Sequence, residues 1–251
     1  MIGGASLDVL HFAGQTARSA GGAGLYTALA AVRAGLPDVA MFAPRPEPMP
    51  DALRPAAERL HWFGPPAAPD DLPHFEIAHH GAGRAGLLNA RWGAEAHLAP
   101  DDLPDLSGVS LVHVAALGTT ARQLAFVRAC RARGARRISA GTYARAVYGD
   151  TAAVRTLFEA ADIFFLNENE AAGLFGSAEA ARTRPGALLF VTLGRQGARV
   201  IQGDTGTDIP GRPARELDPT GAGDTFCGAT LAGLARGEHP VMAARAATPL
   251  A

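Results

Sequence analysis

An α/β fold, with a mostly parallel sheet flanked by helices, follows from three observations on this 251-residue chain. Short apolar runs alternate with Ala/Leu/Arg-rich stretches of helical period, the rhythm of strands joined by crossover helices. Apolar residues make up 48% of the chain but aromatics only 6%, so small side chains can bring helices close to a sheet. Gly134, Gly176 and Gly237 stand just past helical stretches, where a left-handed residue ends a helix without steric cost. Residues 1–251 are enough for a single large domain with a small appendage.

In chain order, Gly4-Ala5-Ser6-Leu7-Asp8 leaves a first strand and presents Asp8 at its C-terminal end. Helices are expected over about 22–34 and 51–60, with a strand near 38–43 between them. Residues 44–50 and 64–73 are proline-dense connectors. From there, strands are expected near 109–115, 136–140, 162–166, 187–192 and 197–202, and helices over about 120–133, 150–160, 168–175 and 222–236. Two segments break this rhythm. Residues 10–20 lack helical character, and 74–97 contain two alternating runs, His74-Phe75-Glu76-Ile77-Ala78 and Leu87-Leu88-Asn89-Ala90-Arg91-Trp92. These segments, approximately 10–20 and 74–97, read as a small β-sheet lid able to cover a ligand and exclude water.

Composition narrows the function. A net charge of −1 gives no reason to expect nucleic acid or an acidic membrane as partner. Arg131, Arg133, Arg136 and Arg137 cluster at an expected helix end, where they complement the dipole. Two cysteines, Cys130 and Cys227, form neither a disulfide framework nor a zinc spacing, so a reducing cytoplasm is expected. No stretch approaches the roughly 18 apolar residues of a membrane span, and no basic-then-apolar leader opens the chain.

The most informative string is Asp218-Pro219-Thr220-Gly221-Ala222-Gly223-Asp224-Thr225-Phe226. Glycines let backbone N–H groups crowd around an anion, and the helix that follows adds its positive end. Asp224 would then sit beside a bound phosphate, placed to take a proton from an attacking hydroxyl; a plain helix cap after a glycine turn is the alternative. Upstream, Asp8 could accept two adjacent hydroxyls, and Gly21-Gly22-Ala23-Gly24 permits close backbone approach to a ligand. Asn167-Glu168-Asn169-Glu170 closes an apolar strand run, with Asn167 and Glu170 three apart on one helical face. Glu170 could hold Mg²⁺ through water while Asn167 donates to a phosphate oxygen, or the run is an acidic first turn favoured by the dipole. Thr192-Leu193-Gly194-Arg195-Gln196-Gly197 turns between two strands, against a nucleotide or simply as a hairpin.

Taken together, Asp8, Gly21-Gly22, 167–170, 192–197 and 218–226 resemble, in order and rough spacing, the PfkB (ribokinase-like) carbohydrate kinases, over nearly the whole chain. The resemblance implies a ribokinase-like, Rossmann-like domain with a β-sheet lid, using ATP and Mg²⁺ to phosphorylate a hydroxyl of a sugar or nucleoside. It makes Asp224 the catalytic base and Gly221, Ala222 and Gly223 the anion hole. Asp8, Gly21, Gly22 and Tyr26 match substrate-binding positions. Asn167, Thr192, Gly194 and Gly197 match nucleotide-binding positions, and Glu170 organises Mg²⁺. The lid mediates homodimers in many members, and many respond to K⁺ near the loop matching Asp218 and Thr220.

Three departures accompany the resemblance. Tyr26 stands where the family usually has an Asn that contacts sugar hydroxyls. Met1-Ile2 leaves little of the usual first strand. Family members usually continue a few dozen residues beyond Ala251, toward the adenine pocket and the potassium site; Thr248 falls near an adenine-contacting Asn position, followed by helix-interrupting Pro249. A catalytically weakened sugar- or nucleotide-binding protein on the same scaffold is therefore the alternative reading. Gly81-Ala82-Gly83-Arg84-Ala85-Gly86 matches a dinucleotide fingerprint, but the run after it is extended rather than helical. The His79-His80 pair lacks a third metal ligand at suitable spacing.

Overall fold

The computed structural model describes residues 1–12, 14–79, 85–213 and 219–251. Its N-terminal part runs β1 (Ser6–Phe12), β2 (Gln15–Gly21), α1 (Ala23–Arg33), β3 (Ala40–Phe42), β4 (Arg45–Pro46), α2 (Arg54–Ala57), β5 (His61–Phe63), β6 (Pro66–Ala67), β7 (His74–His79) and β8 (Ala85–Arg91). Next come β9 (Val112–Val114), α3 (Thr120–Ala132), β10 (Ile138–Gly141), α4 (Ala144–Gly149), α5 (Thr151–Ala160), β11 (Ile163–Asn167) and α6 (Glu168–Phe175). The chain closes with β12 (Leu188–Thr192), β13 (Gly197–Gln202), β14 (Thr205–Pro210), α7 (Ala222–Ala235) and α8 (Pro240–Ala247).

The main sheet has the order β14-β13-β12-β11-β10-β9, parallel from β9 to β12 and antiparallel beyond. Strand β11 is apolar throughout its first four residues because both its faces are covered. Alternation sends Phe164 and Leu166 into the core under α3, α5 and α6, and Ile163 and Phe165 into the core under α7 and α8. Ile2 extends the sheet, bridging Val114 and Phe42 in parallel: its N–H donates to His113 O at 2.8 Å and its carbonyl accepts from Ala115 N at 2.9 Å. Through it β3 and β5 join the main layer, so a single residue does the pairing of a whole strand.

Gly3, at φ 147, then turns the chain out of that layer, and its Cα lies so close to Ala115 that an added Cβ would meet the Ala115 Cβ at 2.7 Å. The chain enters a second sheet of order β2-β1-β7-β8, which is the small sheet expected from the two irregular segments. Its strands start earlier and finish sooner than the sequence suggests, at Ser6 and Arg91, with 93–97 a 3₁₀ turn. Asp8 accordingly sits inside β1, opposite Ser19, and not at the C-terminal end of a main-sheet strand. The switch at Gly3-Gly4 explains the difference: alternation continues unbroken across it, so the sequence does not mark where one sheet stops.

Helices α1 and α7 pack side by side, in near backbone contact at Gly228, where a Cβ would fall 2.1 Å from the Thr27 carbonyl oxygen. That proximity brings both helix N-termini to the same end of the main sheet. Gly134, Gly176 and Gly237 have φ of 86°, 89° and 83° at helix ends, as expected. Helix α2 is shorter than the expected 51–60, because Pro55 confines its start to Arg54. Polar, Gly-containing β14 lacks the apolar alternation of the other strands, and α8 opens on Pro240 and buries Ala243, Ala244 and Ala247. Among the described residues no helix is long and apolar enough to cross a membrane.

Candidate active site

A cavity of about 190 Å³ opens at the carboxyl ends of β9 to β12, bounded by the N-termini of α1, α6 and α7. Ligands in open α/β sheets bind beyond those strand ends. Asp224, Gly221, Gly223, Asn167, Glu170 and Thr192 all line it, so residues spread over 57 positions of sequence (167 to 224) converge as the motifs imply.

Asp224 is the third residue of α7, whose cap Gly221 adopts left-handed φ 76, ψ 4. The Ala222 N–H is taken up by the Pro219 carbonyl at 3.2 Å. The amides of Gly223 and Asp224, in the first helical turn, face outward from a positive helix end and need acceptors beyond the helix. Within the Gly221-Ala222-Gly223 trio, the Ala222 amide is thus paired inside its own turn. Burial in the cavity wall raises the Asp224 carboxyl from 3.8 to about 7. Such a group is poised to accept a proton near neutral pH.

Asn167 and Glu170 form a capping box at the start of α6. The Asn167 Oδ1 accepts from Glu170 N at 2.9 Å, Glu170 Oε2 accepts from Asn167 N at 2.9 Å, and Asn167 Nδ2 donates to Oε1 at 2.7 Å. The acidic turn is thus a helix cap, and the cap fixes both side chains at the cavity rim. Glu170 is 5% exposed. Burial first, and the nearby Asp224 charge after the Asn167 amide bond, place its carboxyl at about 7. Two desolvated carboxylates at one end of a cavity favour a proton or a cation between them.

The remaining positions are distributed unevenly. Asp8 is 3% exposed and accepts the Phe75 N–H at 3.2 Å, with its other oxygen against Gly21, where a Cβ would lie 1.9 Å away. Burial raises its pKa, against the bonds it accepts. Gly22, at φ 104, caps α1 against the Gly4 carbonyl. Tyr26 directs its hydroxyl to the Ala20 carbonyl at 3.0 Å and its ring onto Gly221. Asp8, Gly21, Gly22 and Tyr26 are not among the residues that line the cavity, and Ala23 is the α1 residue that does. Gly194 and Gly197, at φ 55 and 106, shape the β12–β13 turn outside the cavity, of which only Thr192 forms part. Asp218 of the loop tied to K⁺, residues 81–84 of the dinucleotide string, and the His79 and His80 side chains lie outside the described residues.

Sequence reasoning missed the cavity floor. His113 is 4% exposed, shares a 2.9 Å hydrogen bond with Ser139, and approaches Cys227 Sγ at 3.8 Å. Burial holds it neutral, with a pKa of about 3, and raises the Cys227 thiol well above its usual value. Thr142, just past β10, also lines the cavity, and its buried Oγ1 has no hydrogen-bond partner among the described residues. An imidazole within the apolar run Val112-His113-Val114 is the signal that pointed here.

Known proteins share this fold. The sequence model described as pfkB family carbohydrate kinase matches residues 78–251. The chain belongs to that family. Within it, a ribokinase of Bacillus subtilis is 44% identical over 75 residues, which cover 29% of this chain and 25% of that protein. The matched segment thus spans about a quarter of this relative's length. A probable sugar kinase from Rhizobium etli has the same fold, with TM-score 0.81 and 18% identity over 99% of this chain and 90% of that one. A Burkholderia thailandensis nucleoside kinase solved with inosine gives TM-score 0.75 and 18% identity, covering 99% of this chain and 88% of its own. A ribokinase-like fold for this PfkB chain follows.

Proposed function

We propose that this chain is an ATP-dependent phosphotransferase that phosphorylates a hydroxyl group of a sugar or nucleoside. The observation that carries the reading is Asp224, a carboxyl raised to about 7, in the same first helical turn as outward-facing amides at the head of a cavity. In phosphoryl transfer the protein supplies mostly position and charge. The α7 amides would receive the oxygens of the transferring group, where one lost donor typically costs about 3–4 kcal/mol. Asp224 would take the acceptor's proton as the new P–O bond forms, a contribution of roughly 10²–10⁴ in rate. Closure of the β2-β1-β7-β8 sheet over the acceptor would align its hydroxyl, with effective molarities worth roughly 7–11 kcal/mol. Asp8, Gly21 and Gly22 would define the acceptor end, and Asn167 and Thr192 the nucleotide end, with Gly194 and Gly197 shaping the adjoining turn.

Mg²⁺ fits the residues present. Glu170 and Asp224 offer hard oxygen donors whose raised pKa values a cation would lower, and Mg²⁺ is usually bound through one or two carboxylates, waters and phosphates. No group of three or more ligating side chains occurs among the described residues. When bound, Mg²⁺ would neutralise phosphate charge. The chain would work in the cytoplasm and could pair through the exposed Leu87 and Leu88 of β8, which are 54% and 60% exposed. An ADP-release screen over pentoses, hexoses, keto-deoxy acids and nucleosides, with and without K⁺, tests the reading. Binding of such ligands with no phosphorylated product would instead establish a binding protein on the kinase scaffold.

A further inference from the structure

Tyr26 joins two parts of the molecule that have separate tasks. Its hydroxyl donates to the carbonyl of Ala20, the penultimate residue of β2 and the partner of Leu7 in β1. Its ring covers Gly221: a Cβ built there would lie 2.6 Å from Tyr26 Cδ2, 2.9 Å from Cε2 and 3.0 Å from Cγ. Gly221 is the left-handed cap that aims the first amides of α7. One side chain with two rotatable angles therefore spans from the small sheet to the anion-binding turn.

The backbone around Tyr26 leaves it little freedom. Its N–H bonds the Gly22 carbonyl at 3.0 Å, and α1 is pressed against α7 through Thr27 and Gly228. The half-buried ring stands where a side chain on Gly221 would lie. A shift of β2 toward or away from the main sheet would pull the hydroxyl, and the ring would carry that shift to the turn.

We propose that Tyr26 is a positioning residue that couples the small sheet to the anion-binding turn, rather than an acceptor contact. Its ring holds Gly221 so that the α7 amides meet the transferring phosphoryl group. Its hydroxyl ties that arrangement to the position of β2. The proposal rests on the kinase reading for its purpose, but the coupling itself can be measured without turnover.

Hydrogen exchange by mass spectrometry on Tyr26→Phe and Tyr26→Ala tests it, alongside calorimetric affinities for AMP-PNP and ADP. Phe keeps the ring and loses the bond to Ala20. Segment 15–21 should exchange about tenfold faster, as expected for losing a hydrogen bond of about 1.4 kcal/mol, while 219–226 and the AMP-PNP:ADP affinity ratio stay within twofold of wild type. Ala should accelerate both segments and lower the ratio about tenfold. Segment 230–235, at the far end of α7, should stay unchanged in both variants. Should Tyr26→Ala not fold, Tyr26→Leu refills the volume without the ring and carries the same expectation. Unchanged exchange of 219–226 in the Ala or Leu variant overturns the ring's role, and unchanged 15–21 in the Phe variant overturns the link. Acceleration that includes 230–235 reduces Tyr26 to general packing. A wild-type chain that binds neither nucleotide would refute the kinase reading, while the exchange pattern would still decide the coupling.

Discussion

Replacing Asp224 with Asn should remove activity and add stability, two effects of opposite sign from one buried carboxyl. The fold raises that carboxyl from 3.8 to about 7, so the native state binds its proton more tightly than the unfolded chain does. Stability from this group is fully present below pH 3.8 and lost as pH climbs toward 7; above that, the native state carries an uncompensated charge. A rise of about 3 pH units (from 3.8 to about 7) corresponds at most to roughly 4 kcal/mol, at 1.36 kcal/mol per unit. Asp224 is partly open to the cavity, and solvent screening reduces the figure to about 1–2 kcal/mol. Asn has the same shape and no charge, so at pH 8 the variant should melt about 2–8 °C higher, at 2–4 °C per kcal/mol for a chain of this size. Near pH 4 the difference should shrink toward zero. In an ADP-release assay the same variant should turn over about 10²–10⁴ times more slowly while binding ATP within a fewfold of wild type. Rates within tenfold of wild type, or a lower melting temperature at pH 8, would refute the reasoning.

Three further outcomes follow from the geometry. In wild type, kcat/KM should climb about tenfold per pH unit below 7 and level off above it, because the base must be ionised in the free protein; a profile flat from pH 5 to 8 contradicts this. Gly228→Ala should push α1 from α7 by forcing a Cβ onto the Thr27 carbonyl, costing about 1–3 kcal/mol in denaturant unfolding, and a variant as stable as wild type would show that the helices separate freely. Asp162 accepts from Ile138 N at 2.8 Å, Arg131 at 2.7 Å and Arg184 at 3.0 Å, away from the cavity. Asp162→Ala should therefore lower stability by about 1–3 kcal/mol and leave KM values unchanged.

Much of this architecture was legible in the residues. The apolar run Ile163-Phe164-Phe165-Leu166 announced a strand covered on both faces, and the Gly-Ala-Gly-Asp string announced a glycine-capped helix start. Both signals are local: they depend on burial of neighbouring side chains or on the φ of single glycines. What escaped reading depends on tertiary approach. A one-residue bridge such as Ile2 has no period to detect, and the transfer of the chain between sheets at Gly3 leaves alternation intact. Asp8 consequently looked like a strand-end residue while lying inside the small sheet. Likewise, nothing near Val112-His113-Val114 shows that its imidazole meets Ser139 and Cys227, 26 and 114 positions away. The contact of the Tyr26 ring with Gly221 escaped reading as well, because it arises only when α1 and α7 pack.

The most direct test uses ATP labelled with ¹⁸O at the γ-phosphoryl group, incubated with the acceptor panel, and follows the label by mass spectrometry. Phosphoryl transfer assisted by Asp224 predicts labelled phosphomonoester of one acceptor class, formed about 10²–10⁴ times more slowly by Asp224→Asn. Label appearing only in inorganic phosphate, or remaining in ATP while an acceptor is bound, would contradict it.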